Sequence, residues 1–154
     1  MRRMDYFGNI KHEGIIENVI YWRKANQIHN WFVENVQKGR DDCRCYEVTK
    51  RQLERLFKLC VTVKENSKLI KGKIQNGYTI DRDGNKKPII QDGMYIEDST
   101  VAQKLLPTYG GFYFGICNYD QYYMENINRT IEKLSEVLET TDFDKEIVFY
   151  SSSW

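Results

Sequence analysis

The sequence has little of what marks a membrane, secreted or nucleic-acid-binding protein. Its formal net charge is only +1, so we expect no bulk electrostatic attraction to nucleic acid or to an anionic membrane surface. No apolar run approaches the roughly 20 residues that a membrane-spanning helix requires. The N-terminal residues MRRMDYFGNIKHEG lack the apolar core of a signal peptide. These absences predict a protein of the cytoplasm.

Cysteine is also scarce, with four in the chain. Cys43 and Cys45 are separated by one residue, which is too close for the usual zinc-binding spacings, and no nearby pair of histidines completes such a site. Together with Cys60 and Cys117 they are expected to be free thiols in a reducing compartment. The sequence therefore predicts no metal site and no cofactor.

Catalytic signatures are missing as well. The chain has only two histidines, His12 and His29, and contains no G-x-S-x-G, P-loop or H-E-x-x-H motif. This favours a protein that does not catalyse a reaction. The alternative is an enzyme in which His29 acts as a base, oriented by Asp41 or Asp42.

What the sequence does have is aromatic residues, which make up 14% of the chain and include 11 tyrosines. Tyr and Trp combine a large contact area with a polar group, which suits ligand and partner surfaces as well as cores. The length of 154 residues predicts one domain that buries roughly two-thirds of its unfolded surface.

The stretch from Ile20 to Gln37 is predicted to be one long helix. Helical periodicity places eight mostly apolar residues on one broad face: Tyr21, Trp22, Ala25, Ile28, His29, Phe32, Val33 and Val36. Arg23, Asn26 and Asn30 fall on its flank, and Trp31 is expected to point away from the apolar face. Gly39 marks the end of the helix.

Further elements follow along the chain. Cys45–Val48 is predicted to be a short strand, and Thr49 with Gln52 forms a capping box that starts a second helix ending near Glu65. Residues 66–97 hold the turn dipeptides Asn76-Gly77 and Asp83-Gly84 between short β-rich runs. They predict a β-hairpin or three-stranded meander inserted in the domain, either a solvated element or an arm that closes over an anionic ligand or grips a second subunit.

The last third predicts a short helix capped by Asp98 or Ser99, a strand over Tyr109–Gly115, a helix capped by Asn118 and a final strand over Ile147–Tyr150. The fold class is therefore α+β. Three or four helices pack on a small, partly antiparallel sheet, and the hairpin extends from it as an arm.

Two groups of residues are candidates for a binding site. The first is on the long helix and comprises Trp22, Arg23, Asn26, His29 and Asn30. Arg23 can pair with a phosphate and the asparagines can bond to a base edge. The alternative is that the polar members satisfy buried groups in the core.

The second group is aromatic and polar, and comprises Tyr109, Phe112, Tyr119, Tyr122, Ser152 and Trp154. The aromatic residues can stack on a base, or can simply form the core. A tryptophan at the last position of the sequence indicates a terminus that is packed down.

Five segments carry a family resemblance: YWRKANQIHNWFVENVQ, GRDDC, LLPTYGGFYFG, NYDQYY and SSSW. They resemble a family of small cytoplasmic accessory proteins of tailed bacteriophages. The resemblance covers the predicted first helix, the loop after it and Leu105–Trp154, and residues 66–97 look like an addition to the family pattern.

The resemblance implies a protein that acts on host physiology or host defence. Several such phage proteins sequester the nucleotide second messengers of bacterial immunity. The expected function is therefore non-catalytic binding of a small anionic, nucleotide-like ligand in the host cytoplasm, by a homo-oligomer. The alternative is a protein-binding inhibitor of a host defence protein, with Trp31 and the basic hairpin as its interface.

Overall fold

The computed structural model of the protein describes the backbone of residues 6–10, and residues 16–110 and 115–153 in full. Within them the fold is α+β, as predicted. Four helices are present: α1 (Asn26–Asn35), α2 (Lys50–Glu65), α3 (Thr100–Leu105) and α4 (Gln121–Thr140). Six strands accompany them: β1 (Tyr6–Ile10), β2 (Ile16–Tyr21), β3 (Tyr46–Val48), β4 (Leu69–Ile80), β5 (Lys86–Ile96) and β6 (Ile147–Tyr150).

The strands form two sheets. The larger has the order β2-β1-β6-β3 and all its pairings are antiparallel. The second consists of β4 and β5 alone, which we call the arm. The arm is a simple hairpin and not a meander. Its turn contains Asp83-Gly84, whereas Asn76-Gly77 lies inside β4, where the pairing register shifts.

The core lies between α1, α2, α4 and the larger sheet. Phe32 on α1 is fully buried, and its ring stacks on that of Tyr150 on β6 with 4.0 Å between centroids. Leu53, Leu56 and Cys60 of α2 are also fully buried, so Cys60 is a free thiol in the core. The capping box predicted at Thr49 and Gln52 is present. No helix among the described residues is long and apolar enough to cross a membrane.

The prediction of a helix starting at Ile20 is wrong. Residues 16–21 form β2, and α1 begins only at Asn26. Lys24, between them, has a φ of 57°, a left-handed conformation that interrupts any continuous right-handed helix. Tyr21 is consequently 47% exposed and does not belong to the buried face, whereas Ala25 and Val36 are buried as predicted.

Trp31 was also predicted wrongly, as a residue pointing away from the core. It is only 5% exposed and packs edge-on against Phe32, with 5.1 Å between ring centroids. The reason is that α1 is buried on most of its surface, with seven of its ten residues buried. A single apolar stripe therefore does not describe it.

One prediction in the last third needs correction, and another lies partly outside the described residues. Asp120, not Asn118, caps α4, because its side chain accepts hydrogen bonds from the backbone N–H groups of Tyr122 and Tyr123. The predicted strand from Tyr109 to Gly115 lies partly outside the described residues, at 111–114, and both of its end residues lie outside any strand. The final strand is confirmed as β6.

Candidate functional site

A cavity of about 430 Å³ lies where three distant parts of the chain meet. One wall is the loop before α1, with Arg23 and Lys24. A second is the arm, with Asn76, Gly77, Tyr78 and Lys86. The third is the segment from Gly115 into the first turns of α4, where the lining residues include Asn118, Asp120, Tyr122 and Asn126. We call it the cationic cavity.

The loop before α1 is held by its neighbours in a fixed position. The indole N–H of Trp22 donates a hydrogen bond of 2.8 Å to the hydroxyl of Thr130 on α4. Two residues later, Lys24 packs against Gly115, where an added Cβ would come within 3.0 Å of the Cβ of Lys24. This close approach requires glycine at 115, which also has a φ of 81°. Arg23, between these two contacts, is exposed on the cavity wall.

Asn26 fixes the next part of the wall and is itself buried, at 2% exposure. Its side-chain amide donates to the carbonyl of Ile116 (3.2 Å), and its side-chain oxygen accepts from the backbone N–H of Tyr109 (3.2 Å). Gln27 donates to the carbonyl of Tyr123 over 3.4 Å. Asn26 therefore ties the backbone of Tyr109 and of Ile116 to the start of α1.

The arm lines the cavity at its irregularity, Asn76-Gly77. The register shifts between Gln75 and Tyr78, and Gly77 has a φ of 77°, which favours glycine. Beyond this bulge Tyr78 lies beside Lys86, whose ammonium nitrogen is 4.5 Å from the ring centroid. This contact places a cation and an aromatic ring on the same wall.

The arm is tied to α4 near the cavity. The side-chain amide of Gln91 on β5 donates to the hydroxyl of Tyr122 (3.2 Å), and the backbone N–H of Met94 donates to the side-chain oxygen of Gln121 (2.9 Å). Because Tyr122 lines the cavity, these bonds hold two of its walls together.

The charge of the lining is predominantly positive. Arg23, Lys24 and Lys86 supply three cationic groups, and among the described lining residues the one acid is Asp120. That carboxylate is 4% exposed and caps α4. Its burial raises its pKa above the ordinary value, against the opposing effect of the N–H groups of Tyr123 and Tyr122. The acid is thus turned into the protein, whereas Arg23 and Lys24 are exposed.

The structure brings only some of the predicted site residues to this cavity. Arg23 and Tyr122 line it. Trp22 and Asn26 do not line it, but their hydrogen bonds hold the segments that do. The hydroxyl of Tyr119 accepts a hydrogen bond from the backbone N–H of Thr108 and its ring packs on Tyr123.

Other predicted residues lie elsewhere or outside the described part of the chain. Asn30 and Ser152 are partly buried and Tyr109 is 52% exposed. None of these three is among the described lining residues. Phe112 and Trp154 lie outside the described residues.

His29 forms a separate cluster in the interior. Its Nδ1 lies 2.6 Å from the hydroxyl of Tyr150, and its Nε2 lies 3.1 Å from Oδ1 of Asp41, at ion-pair distance but without hydrogen-bond alignment. Asp42 instead accepts from the hydroxyl of Tyr46. The predicted partnership of His29 with Asp41 thus exists, but the imidazole is 9% exposed and its second neighbour, Tyr150, is 4% exposed. The cluster connects α1, the loop after it and β6.

Most of the described lining residues were not among the predicted ones, including Lys24, Tyr78, Lys86, Asn118 and Asn126. The basic character of the arm was a signal for Lys86, and the Asn-Gly dipeptide was a signal for the irregularity beside Tyr78. No local signal indicates that the arm folds back onto the start of α4.

Comparisons of the chain with protein-family models, with curated proteins and with solved structures find no match.

Proposed function

We propose that the protein binds a small, nucleotide-like anion in the cationic cavity and does not change it chemically. In this proposal it is a phage accessory protein of the host cytoplasm that sequesters a nucleotide signal of host immunity. The binding part of the proposal rests on the cavity. The phage and immunity part rests on the family resemblance of the sequence.

One observation carries the binding proposal: three cationic side chains line one cavity, two from the loop at 23–24 and one from the arm. No ion pair among the described residues engages Arg23 or Lys24. Exposed cations that converge on a concave surface attract anions, and guanidinium groups pair with phosphate oxygens through two parallel hydrogen bonds. The cavity volume of about 430 Å³ is within the range of small-molecule sites.

The remaining lining residues suit the other parts of a nucleotide. Tyr78 and Tyr122 provide aromatic rings, on which bases stack with little sequence preference. The side-chain amides of Asn118 and Asn126 provide donors and acceptors for a base or sugar. Phosphate is expected near Arg23 and Lys24, and the base towards the arm.

The non-catalytic part of the proposal is supported by where the acid–base groups lie. His29 is in the interior cluster with Tyr150 and Asp41. Asp120, the acid among the described lining residues, is committed to the helix cap. A general acid or base must reach the reacting atoms at hydrogen-bond distance.

Titration calorimetry with a panel of mononucleotides, cyclic nucleotides and ADP-ribose tests the proposal. Arg23→Ala should weaken binding by roughly ten- to a hundredfold, because a charge-assisted contact is worth about 1.5–3 kcal/mol. Arg23→Lys should restore part of the affinity, since an ammonium lacks the planar fork of a guanidinium.

Arg55→Ala is the matched control. Arg55 is exposed on α2 and is not among the described lining residues, so its loss should leave the affinity unchanged. Equal affinities of wild type and a folded Arg23→Ala variant would contradict the proposed site.

The second candidate function is inhibition of a host defence protein. Trp31 no longer supports it, because this residue is buried. The arm does, since Tyr78, Ile80, Ile89 and Ile90 are 42–64% exposed and exposed apolar patches mark interaction surfaces. Pull-down from defence-active cells with wild type and an Ile80→Glu variant distinguishes the two functions. Stoichiometric capture of one host protein by wild type alone would favour inhibition.

We also propose that the protein forms a homo-oligomer. Edge strands carry unpaired backbone groups that readily pair with a second copy. Both strands of the arm are edges, although the end of β5 is bonded to the segment before α4. Light scattering coupled to size-exclusion chromatography measures the subunit number directly.

A further inference from the structure

A second cavity adjoins the cationic cavity. It has a volume of about 420 Å³ and lies under the arm, between Lys73–Gln75, Pro88 and Ile90 on one side and Cys117–Asp120 on the other. Asn118 and Asp120 line both cavities. The two cavities therefore share part of one short segment, and residues of the arm line both. We call the second one the adjoining cavity.

The adjoining cavity differs from the cationic cavity in chemistry. Much of its lining is apolar or aromatic and is formed by Ile74, Pro88, Ile90, Tyr95 and Tyr119. Its one described cation, Lys73, is paired with the carboxylate of Asp92. A planar, weakly polar group suits such a lining, whereas a free phosphate does not.

We propose that the ligand of this protein has two parts and belongs to the dinucleotide class. Its phosphate and first nucleoside lie in the cationic cavity, and its second base lies in the adjoining cavity. The linkage between them passes Asn118, which is exposed and shared by the two walls. This inference rests on the proposed function and narrows it, because a mononucleotide fills only one of the two cavities.

Calorimetry with four mononucleotides and the corresponding 5′-phosphorylated homodinucleotides tests this inference. The best dinucleotide should bind at least about tenfold more tightly than its mononucleotide, because stacking of one further base contributes on this scale. Ile90→Glu should abolish this gain, since it places a carboxylate in the adjoining cavity. The affinity for the mononucleotide should change little.

Ile89→Glu is the matched control. Ile89 is the neighbouring residue on β5 and is 42% exposed, compared with 56% for Ile90. Successive side chains of a strand point to opposite faces, and Ile89 is not among the described residues that line the adjoining cavity. The control therefore adds the same charge at the neighbouring position of β5 and should retain the dinucleotide gain.

Cysteine alkylation provides an independent test. Cys117 is exposed and lines the adjoining cavity. Cys43 and Cys45 are exposed on another loop and serve as internal controls. With iodoacetamide and peptide mapping, the dinucleotide should slow modification of Cys117 at least severalfold, whereas the mononucleotide should not. Both ligands should leave the rates at Cys43 and Cys45 unchanged.

The outcomes separate this inference from the function on which it rests. A dinucleotide that binds no more tightly than its mononucleotide, or a gain that survives Ile90→Glu, overturns the two-part ligand. Mononucleotide binding that depends on Arg23 would then leave the proposed function in place. Absence of binding by either class overturns both.

Discussion

Lys24 combines a left-handed backbone conformation with a cationic side chain at the cationic cavity. Its φ of 57° is one of three left-handed values found at non-glycine residues in the described chain, the others being at Lys38 and Cys43. Such a conformation costs a non-glycine residue roughly 1–2 kcal/mol. Lys24 also packs on Gly115 and lines the cationic cavity. Strain of this kind often occurs at functional sites, which agrees with the proposed role of this side chain in binding.

Lys24→Gly should therefore separate stability from binding. We expect the free energy of unfolding to rise by about 0.5–1 kcal/mol, because glycine adopts this conformation without a steric penalty. The affinity for a nucleotide should fall severalfold, because a cation is lost from the cavity. Urea unfolding and calorimetry measure the two effects.

Lys38→Gly is the control for the strain alone. Lys38 has a φ of 55°, is exposed and is not among the described lining residues. It should show a similar gain in stability and unchanged affinity. A Lys24→Gly variant that binds as tightly as wild type would exclude Lys24 from the site.

Asp120 gives a prediction with a defined pH dependence. Burial raises its pKa above 3.8 in the folded state, so the folded protein holds this proton more tightly than the unfolded chain. The stability contributed by the protonated carboxyl is complete below the unfolded pKa and is lost as the pH rises through the folded one. The unfolding free energy of wild type relative to Asp120→Asn should therefore decrease from pH 3 to neutrality. Asparagine retains a good helix cap.

Asp98→Asn should show the opposite trend. Hydrogen bonds from the side chain and backbone of Thr100 lower the pKa of Asp98, so its stabilising contribution appears as the pH rises past the unfolded value and is lost on acidification. Urea titrations of the three proteins between pH 3 and 7 measure both slopes. Parallel curves for wild type and Asp120→Asn would contradict the assigned direction.

Some of these residue roles are visible in the sequence and others are not. Arg23 stands out because it is a cation beside polar and aromatic residues in the stretch predicted to be a helix, and it does line the cavity. Asn26 stands out for the same reason, yet its amide is consumed by the backbone of Tyr109 and Ile116. A sequence shows that a polar group is present near the core, but not which partner satisfies it.

At the scale of elements, local rules predicted the ends of some helices and failed for others. The capping box at Thr49 identified the start of α2, because both of its bonds form within four residues. The start of α1 was misplaced, since Ala25 at its N-cap makes no side-chain capping bond and β2 is defined by pairing with β1. Strand pairing with a distant segment overrides a local helical pattern.

The arm has two parts that differ in burial and in their relation to the cavity. Ile74 and Ile96 near its base are 4% exposed, whereas Tyr78 and Ile80 beyond the bulge are 43% and 64% exposed. The base thus belongs to the packed protein. The part beyond Gln75 contributes to the cavity wall through Asn76, Gly77, Tyr78 and Lys86.

Shortening the arm tests this division. Residues 76–89 are replaced by an Asn-Gly turn that joins Gln75 to Ile90, which are paired in the hairpin. The variant should unfold cooperatively with a stability close to that of wild type, and should lose most nucleotide affinity because Tyr78 and Lys86 are gone. Thermal unfolding and calorimetry are the measurements.

A second variant, in which a short turn replaces Lys68–Gln91, is compared with the shorter-arm variant. It also removes Ile74, which is buried, and should lower the free energy of unfolding by about 2–5 kcal/mol. Full nucleotide affinity in the shorter-arm variant would exclude the arm from the site.

At the scale of the whole molecule, the fold class followed from the alternation of helical and strand patterns, but the site did not. Its walls come from the loop at 23–24, the arm at 76–86 and the segment 115–126. The closeness of these segments depends on long-range contacts, such as the bonds of Trp22 to Thr130 and of Gln91 to Tyr122. No periodicity or spacing in the sequence encodes such contacts.

The central claim is that the cationic cavity holds an intact nucleotide in the cell. The most direct test is mass spectrometry of small molecules released by heat from protein purified from cells with an active nucleotide-signalling defence. Wild type should release one intact nucleotide in near-stoichiometric amount, whereas a folded Arg23→Ala/Lys86→Ala double variant should release at least tenfold less. Equal release by both proteins, release of a processed product, or no nucleotide from wild type would contradict the claim.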